Sequence, residues 1–132
     1  METILLVDDD LAFVFWLGRI LDAEGYAAFP AKSADDGRNL VAQCRLAVDL
    51  LIINKAIVGL STFIKDLRVS QPSVEILVVV DPASTDSLTL DPSDTVLRKP
   101  ERLDAVCRDE LLASVQNVIS RSKQMKTFGH LA

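Results

Sequence analysis

The sequence predicts an α/β domain in which a five-stranded parallel sheet carries helices on both faces. Three observations predict it. Short apolar runs alternate with amphipathic stretches along the chain. The runs are four to six residues long and bounded by Asp, Pro, Gly or Ser, which is the length and punctuation of strands. Ile4-Leu5-Leu6-Val7, Leu50-Leu51-Ile52-Ile53 and Ile76-Leu77-Val78-Val79-Val80 are continuously hydrophobic instead of alternating, as strands covered on both faces are. Strands and helices in strict alternation imply a parallel sheet.

Each element has a local reason. The first strand is expected over Thr3–Val7. Leu11–Ala23 follows as a helix with Val14, Leu17 and Leu21 on one stripe, and stops at Gly25, a C-terminal signal. After a second strand over Ala27–Pro30, Ser33–Cys44 opens on Ser33 as a side-chain N-cap and sets Leu40, Val41 and Cys44 at helical spacing. Asp49–Ile53 is the third strand. Ser61–Val69 is a helix with Ile64, Leu67 and Arg68 placed before Pro72. Glu75–Val80 is the fourth strand. From Pro82 to Asp94, two Asp-Pro dipeptides and several Ser and Thr residues leave room only for a short or irregular helix. Thr95–Arg98 is the fifth strand. The last helix is the longest, with Leu103, Val106, Cys107, Leu111, Val115, Val118 and Ile119 on one stripe of about five turns. Residues 1–121 are expected to form the domain and 122–132 a C-terminal tail or linker.

Bulk properties narrow the function. A chain of 132 residues is one ordinary domain, long enough to bury a real core. With 49% hydrophobic and 25% charged residues, its composition is globular. A net charge of -5 and a pI near 4.7 would repel a phosphate backbone, so no direct nucleic-acid contact is expected. Ile4–Val7 is too short for a signal peptide or a membrane span; no membrane role is expected, and the compartment is expected to be the cytoplasm. Cys44 and Cys107 lie far apart and match no metal spacing, so they are expected as reduced, partly buried thiols, with a disulfide or ligand role as the alternative.

In a parallel sheet of this kind the site lies at the carboxyl ends of the strands, near the switch in strand order. Those ends carry Asp8-Asp9-Asp10, Asn54-Lys55, Val80-Asp81 and Lys99-Pro100. Carboxylates facing a lysine across a cleft can hold a divalent cation and a phosphoryl group: magnesium takes hard oxygen ligands, and lysine supplies a point charge for phosphate oxygens. The plainer reading of the three aspartates is a solvated turn whose Asp10 caps the following helix.

Taken together, Ile4-Leu5-Leu6-Val7-Asp8-Asp9-Asp10, Asp49-Leu50-Leu51-Ile52-Ile53-Asn54 and Leu97-Arg98-Lys99-Pro100 resemble the receiver domain of bacterial two-component response regulators over about residues 2 to 121. The resemblance implies a flavodoxin-like (βα)5 fold. It implies that Asp8 and Asp9 match the acidic pair that binds magnesium. Asn54 then stands where an aspartate accepts a phosphoryl group from a phosphohistidine, and Lys99 stands at the lysine that contacts the phosphoryl oxygens. The same resemblance suggests a cis Lys99-Pro100 bond, a form that X-Pro adopts at modest cost.

Several parts of that apparatus are missing. An asparagine amide is no nucleophile toward phosphorus, so no acylphosphate can form at Asn54. Val80 stands where a hydroxyl residue is usual and Val96 where the switch aromatic is usual. Lys55-Ala56-Ile57-Val58-Gly59 replaces the Met-Pro that follows the acceptor. Magnesium at Asp8, Asp9 and Asn54 is expected to be weak or absent, because one negative charge has gone and Lys55 adds a positive one. Lys55 is either a solvated surface lysine or a stand-in for some of the metal's charge. Lys99 is expected to pair with Asp8 or Asp9, or to bond to Asn54, and so to lock one conformation.

The leading expectation is therefore a degenerate receiver, or pseudo-receiver: a binding module, not an enzyme, that meets a protein partner or a fused output domain without phosphorylation. Its contact face is expected on the segment after the fourth strand with the fifth strand and last helix, or on the first helix. Ala12-Phe13-Val14-Phe15-Trp16-Leu17 is apolar nearly all round, so Val14 and Phe15 are candidates for a partner or homodimer surface, deeper burial being the plain alternative. Arg121–Lys126 could lead into an output domain, pair with another subunit or simply be solvated. Three alternatives differ in chemistry. The first is an otherwise active receiver with a deactivating asparagine at residue 54. The second is a haloacid-dehalogenase-like phosphotransferase with Asp8 as nucleophile and Asp10 as acid/base; it lacks a hydroxyl at Val80 and a late acidic pair at Arg98-Lys99. The third is a small-molecule sensor in the acidic cleft, which no Gly-rich loop or aromatic cage supports.

Overall fold

The structure, a computed structural model, describes residues 2–82 and 95–131. Five strands, β1 (Thr3–Val7), β2 (Ala27–Ala31), β3 (Leu50–Asn54), β4 (Glu75–Val80) and β5 (Thr95–Arg98), pair in parallel in the order β2-β1-β3-β4-β5. The chain steps outward from β1 to β2, then returns across β1 to β3. That reversal opens a crevice at the carboxyl ends of β1 and β3, where such sheets bind ligands. Four helices are described: α1 (Leu11–Ala23), α2 (Ala34–Cys44), α3 (Leu60–Ser70) and α4 (Ala105–Leu131). The helix expected between Pro82 and Asp94 lies outside the described residues.

Alternate residues of each strand feed two cores. Ile4, Leu6, Leu50, Ile52, Leu77 and Val79 face α1 and α4, while Leu5, Val7, Leu51, Ile53, Ile76 and Val78 face α2 and α3. Burial on both faces is why these strands read as unbroken apolar runs. Phe63 fills the second core, and a Cβ at Gly37 would lie 3.1 Å from its ring; glycine is what lets α2 come so close.

Helix starts are fixed by side chains. The Asp10 carboxylate accepts from the Phe13 N–H, and Ser33 Oγ from the Asp36 N–H. Asp104 accepts from the Cys107 N–H at the start of α4, and this bond holds its carboxyl below the usual carboxylate range. Gly25, with φ 90°, follows the end of α1.

Three helix expectations need correction. Val14 is 4% exposed and packs in the first core, so it belongs to no partner surface; its neighbour Phe15 is 62% exposed. Successive helical positions are turned by about 100°, which separates the two. Leu103 precedes α4 and Val106 lies on its outer side, both exposed, because five residues ahead of buried Leu111 is about 140° off its stripe. Cys44, the last residue of α2, is exposed instead of partly buried; Cys107 is half-buried, and both are free thiols. Burial and the nearby Asp104 push the Cys107 thiol pKa up.

Candidate functional site

Four strand ends meet at the crevice. Asp8 follows β1 and is buried; its backbone N–H donates to the Ala31 carbonyl at 3.0 Å, which pins the residue between β1 and β2. Asn54 closes β3 and is also buried. Asp81 follows β4. Lys99 follows β5, and its N–H donates to the Val80 carbonyl at 2.7 Å, so its side chain is aimed back across the sheet end.

The Lys99 ammonium is the hub. Its Nζ lies 2.6 Å from Asp8 Oδ2, 3.3 Å from Asp81 Oδ1 and 3.7 Å from Asp10 Oδ2. The Phe13 ring closes the apolar side, its centroid 4.5 Å from Nζ, within cation–π range. No acceptor is in line for a well-directed hydrogen bond from Nζ, so charge holds the cluster. Burial works against the ammonium, but the Asp8 and Asp81 carboxylates outweigh it, and its pKa stands above the ordinary lysine value.

Asn54 is oriented by its neighbours. Its Oδ1 accepts from the Ala56 N–H at 2.8 Å, and Nδ2 donates to Asp8 Oδ2 and to Asp81 Oδ1, both at 3.2 Å. Amide orientation follows from the bonding network; here a backbone donor claims the oxygen and two carboxylates claim the nitrogen. Asn54 therefore turns a donor toward the crevice, not the neutral oxygen ligand that a metal would need. Asp8 Oδ1 is engaged as well, accepting from the Asp10 N–H at 2.9 Å.

Asp8, Asn54 and Lys99 thus come together as expected, and Lys99 pairs with Asp8. Asp9 is exposed and stands outside this network; Asp10 and Asp81 take the place expected for it beside Lys99. Val80 is buried and offers no side-chain donor. Val96 is half-buried against the second core. All peptide bonds among the described residues are trans, so the cis bond suggested for Lys99-Pro100 is not formed; trans remains the lower-energy form of X-Pro unless packing selects otherwise. Asp81 and Phe13 gained no role from sequence. Asp81 had a signal, its place directly after a strand. Phe13 had none, since which side of a helix faces a strand end depends on packing.

Magnesium fits these residues poorly. Among the described residues no group of three or more carboxylate, histidine or cysteine side chains is placed to hold a metal ion. The Lys99 ammonium already occupies the space between Asp8, Asp81 and Asp10 and offsets part of their charge, and Asn54 presents hydrogens. Among the described residues no helix is long and apolar enough to cross a membrane.

No family model matches the sequence, and no curated protein matches it. Solved structures do. A response regulator receiver domain protein from Clostridium thermocellum is similar at TM-score 0.73 and 18% identity, over 95% of this chain and 99% of that one. A CheY-like receiver domain protein from Methanospirillum hungatei is similar at TM-score 0.74 and 18% identity, over 95% and 98%. NtrX from Brucella abortus is similar at TM-score 0.81 and 17% identity; the match spans all of this chain and 30% of NtrX. At such identities the likeness is one of architecture. With its parallel β2-β1-β3-β4-β5 sheet and an acid–lysine crevice at the strand ends, the chain has the flavodoxin-like fold of response regulator receiver domains.

Proposed function

We propose that this chain is a receiver-like protein-interaction domain of a two-component-type pathway that works without being phosphorylated. The observation that carries the reading is the orientation of Asn54: the acceptor position holds an amide whose NH2 is tied to Asp8 and Asp81. Lys99 completes the lock. In place of a metal and an acylphosphate, the crevice carries an internal cation, and Val80 and Val96 supply neither a hydroxyl nor an aromatic to relay a change. Nucleophilic attack by Asp8 has no support, because both of its oxygens are engaged.

A domain of this kind acts through a surface that stays constant. It sits in the cytoplasm and either meets a separate protein or forms part of a longer chain, as the match to 30% of NtrX would allow. The beryllofluoride-activated receiver domain of NtrC4, similar at TM-score 0.72, is a dimer; self-association without activation would be a departure from it that the same reading allows. Incubation with magnesium and a small phosphodonor, followed by intact-mass measurement, tests it. No phosphoryl adduct and no turnover of an aryl phosphate are expected; either one would overturn the reading.

A further inference from the structure

We propose that the crevice holds the outer face of α1 in place through a chain of three side chains, Lys99, Phe13 and Trp16. This rests on the reading of the domain as one with a constant surface, and it says which face the crevice keeps constant.

Lys99 reaches the first turn of α1 by two routes. One is ionic. Asp10 divides its carboxylate: Oδ1 accepts from the Phe13 N–H at 3.3 Å, and Oδ2 lies 3.7 Å from Lys99 Nζ. No acidic side chain lies in the first turn of α1, so this capping carboxylate is what faces the positive amino end of the helix. Lys99 also pairs with Asp8, whose Oδ1 accepts from the Asp10 N–H at 2.9 Å. That bond fixes the backbone from which the cap projects. The second route is through a ring. Nζ stands 4.5 Å from the Phe13 centroid, and a cation desolvated against a ring is held more firmly than an exposed one.

Phe13 passes the constraint outward. It is 3% exposed, and its ring centroid is 6.1 Å from that of Trp16, with the planes tilted by 35°. That separation is inside the range over which aromatic pairs attract. Trp16 lies one turn further along α1, packs partly buried against the first core, and borders the outer surface beside Phe15 and Ile20. In a close-packed interior a ring cannot turn unless its neighbours give way. The indole of Trp16 therefore follows Phe13, and Phe13 follows the ammonium.

This path does not pass through Val80 or Val96, which lie on β4 and β5. A bound metal ion can leave, whereas an ammonium that belongs to the chain cannot, so α1 is held in one arrangement. Coupling is reciprocal, so a change imposed on the outer face of α1 is felt in the crevice.

Both directions can be read on the full chain. Trp16 is the single tryptophan. Lys99→Met removes the charge and keeps an unbranched side chain; Trp16 emission should move to the red and be quenched more strongly by acrylamide. Lys99→Arg, which keeps a cation, should stay near the wild-type spectrum. Ser33→Ala weakens a helix on the opposite face of the sheet and should leave Trp16 unmoved, so that lost stability alone is not what is read. From the other end, Trp16→Phe should shift the side-chain NH2 resonances of Asn54, which donates to Asp8 and Asp81 beside Lys99. Phe15→Ser, one residue away and facing solvent, should not. Trp16→Phe leaves every crevice residue intact and decides the matter by itself if Lys99→Met does not fold. An unchanged Trp16 spectrum in folded Lys99→Met overturns the proposal, as does a Lys99→Arg spectrum that matches Lys99→Met. Asn54 resonances unmoved by Trp16→Phe, or moved as far by Phe15→Ser, also overturn it. Any of these failures leaves the phosphorylation-independent reading standing, because intact mass decides that one. A phosphoryl adduct would sink that reading with the α1 coupling still measurable.

Discussion

A carboxylate as deep as Asp8 must be paired or protonated, and the pair with Lys99 does that work. Lys99→Met leaves Asp8 buried without its counter-charge and should cost about 3 kcal/mol of unfolding free energy near pH 7, read from urea denaturation. The pH dependence has a definite sign. The Lys99 pKa is raised from 10.5 in the folded state, so the stability it contributes is complete below 10.5 and is lost as pH rises through the higher folded value. Wild type and Lys99→Met should therefore differ by a constant amount from neutral pH to about 10 and converge in stronger alkali. Asn54→Asp adds a carboxylate beside Asp8 and Asp81, with Lys99 the cation they share. It should cost about 1–3 kcal/mol near pH 7, and less as pH falls and the crowded carboxyls take up a proton. The same variant should gain no full phosphorylation-dependent change in its amide spectrum, because Val80 and Val96 remain. Asp8, Asn54 and Lys99 were readable from the sequence because strand ends are marked by where apolar runs stop. The direction of the Asn54 amide was not, since the Ala56 N–H that decides it belongs to a turn whose shape no motif specifies.

At the scale of elements, caps and spacing did most of the predicting. Ser33 was marked as a cap by its place before a helical pattern, and its hydroxyl bond to the Asp36 N–H is made; Ser33→Ala should cost about 1 kcal/mol. Arg45, the C-cap of α2, sits at φ 49°, a left-handed conformation that burdens any side chain with a Cβ. Arg45→Gly should stabilise the chain by about 0.5–1 kcal/mol, seen as a higher urea midpoint. Nothing in the sequence marks that position, because glycine is the usual signal and an arginine stands there. The faces of α1 and α4 were only half readable. Val14 and Phe15 are equally apolar, and only the direction of packing against β1, β2 and α4 tells core from surface. Val106 misled in the same way, as an apolar residue on the side of the helix away from the stripe.

For the whole molecule, the order of strands and helices was the most readable feature, because continuous apolar runs identify a doubly covered parallel sheet and such a sheet has few ways to be wound. The contents of the crevice were less so. They depend on four strand ends being brought into register, and that is where Asp81 and Asp10 arrived in the place foreseen for Asp9. The central claim is that this crevice holds an internal cation and does not switch. Amide chemical shifts of Asp8, Asn54, Asp81 and Lys99, followed while magnesium and a small phosphodonor are added together, test it most directly. The account predicts that these resonances stay in place and that the intact mass is unchanged. A saturable shift at those residues, accompanied by a phosphoryl adduct, would contradict it.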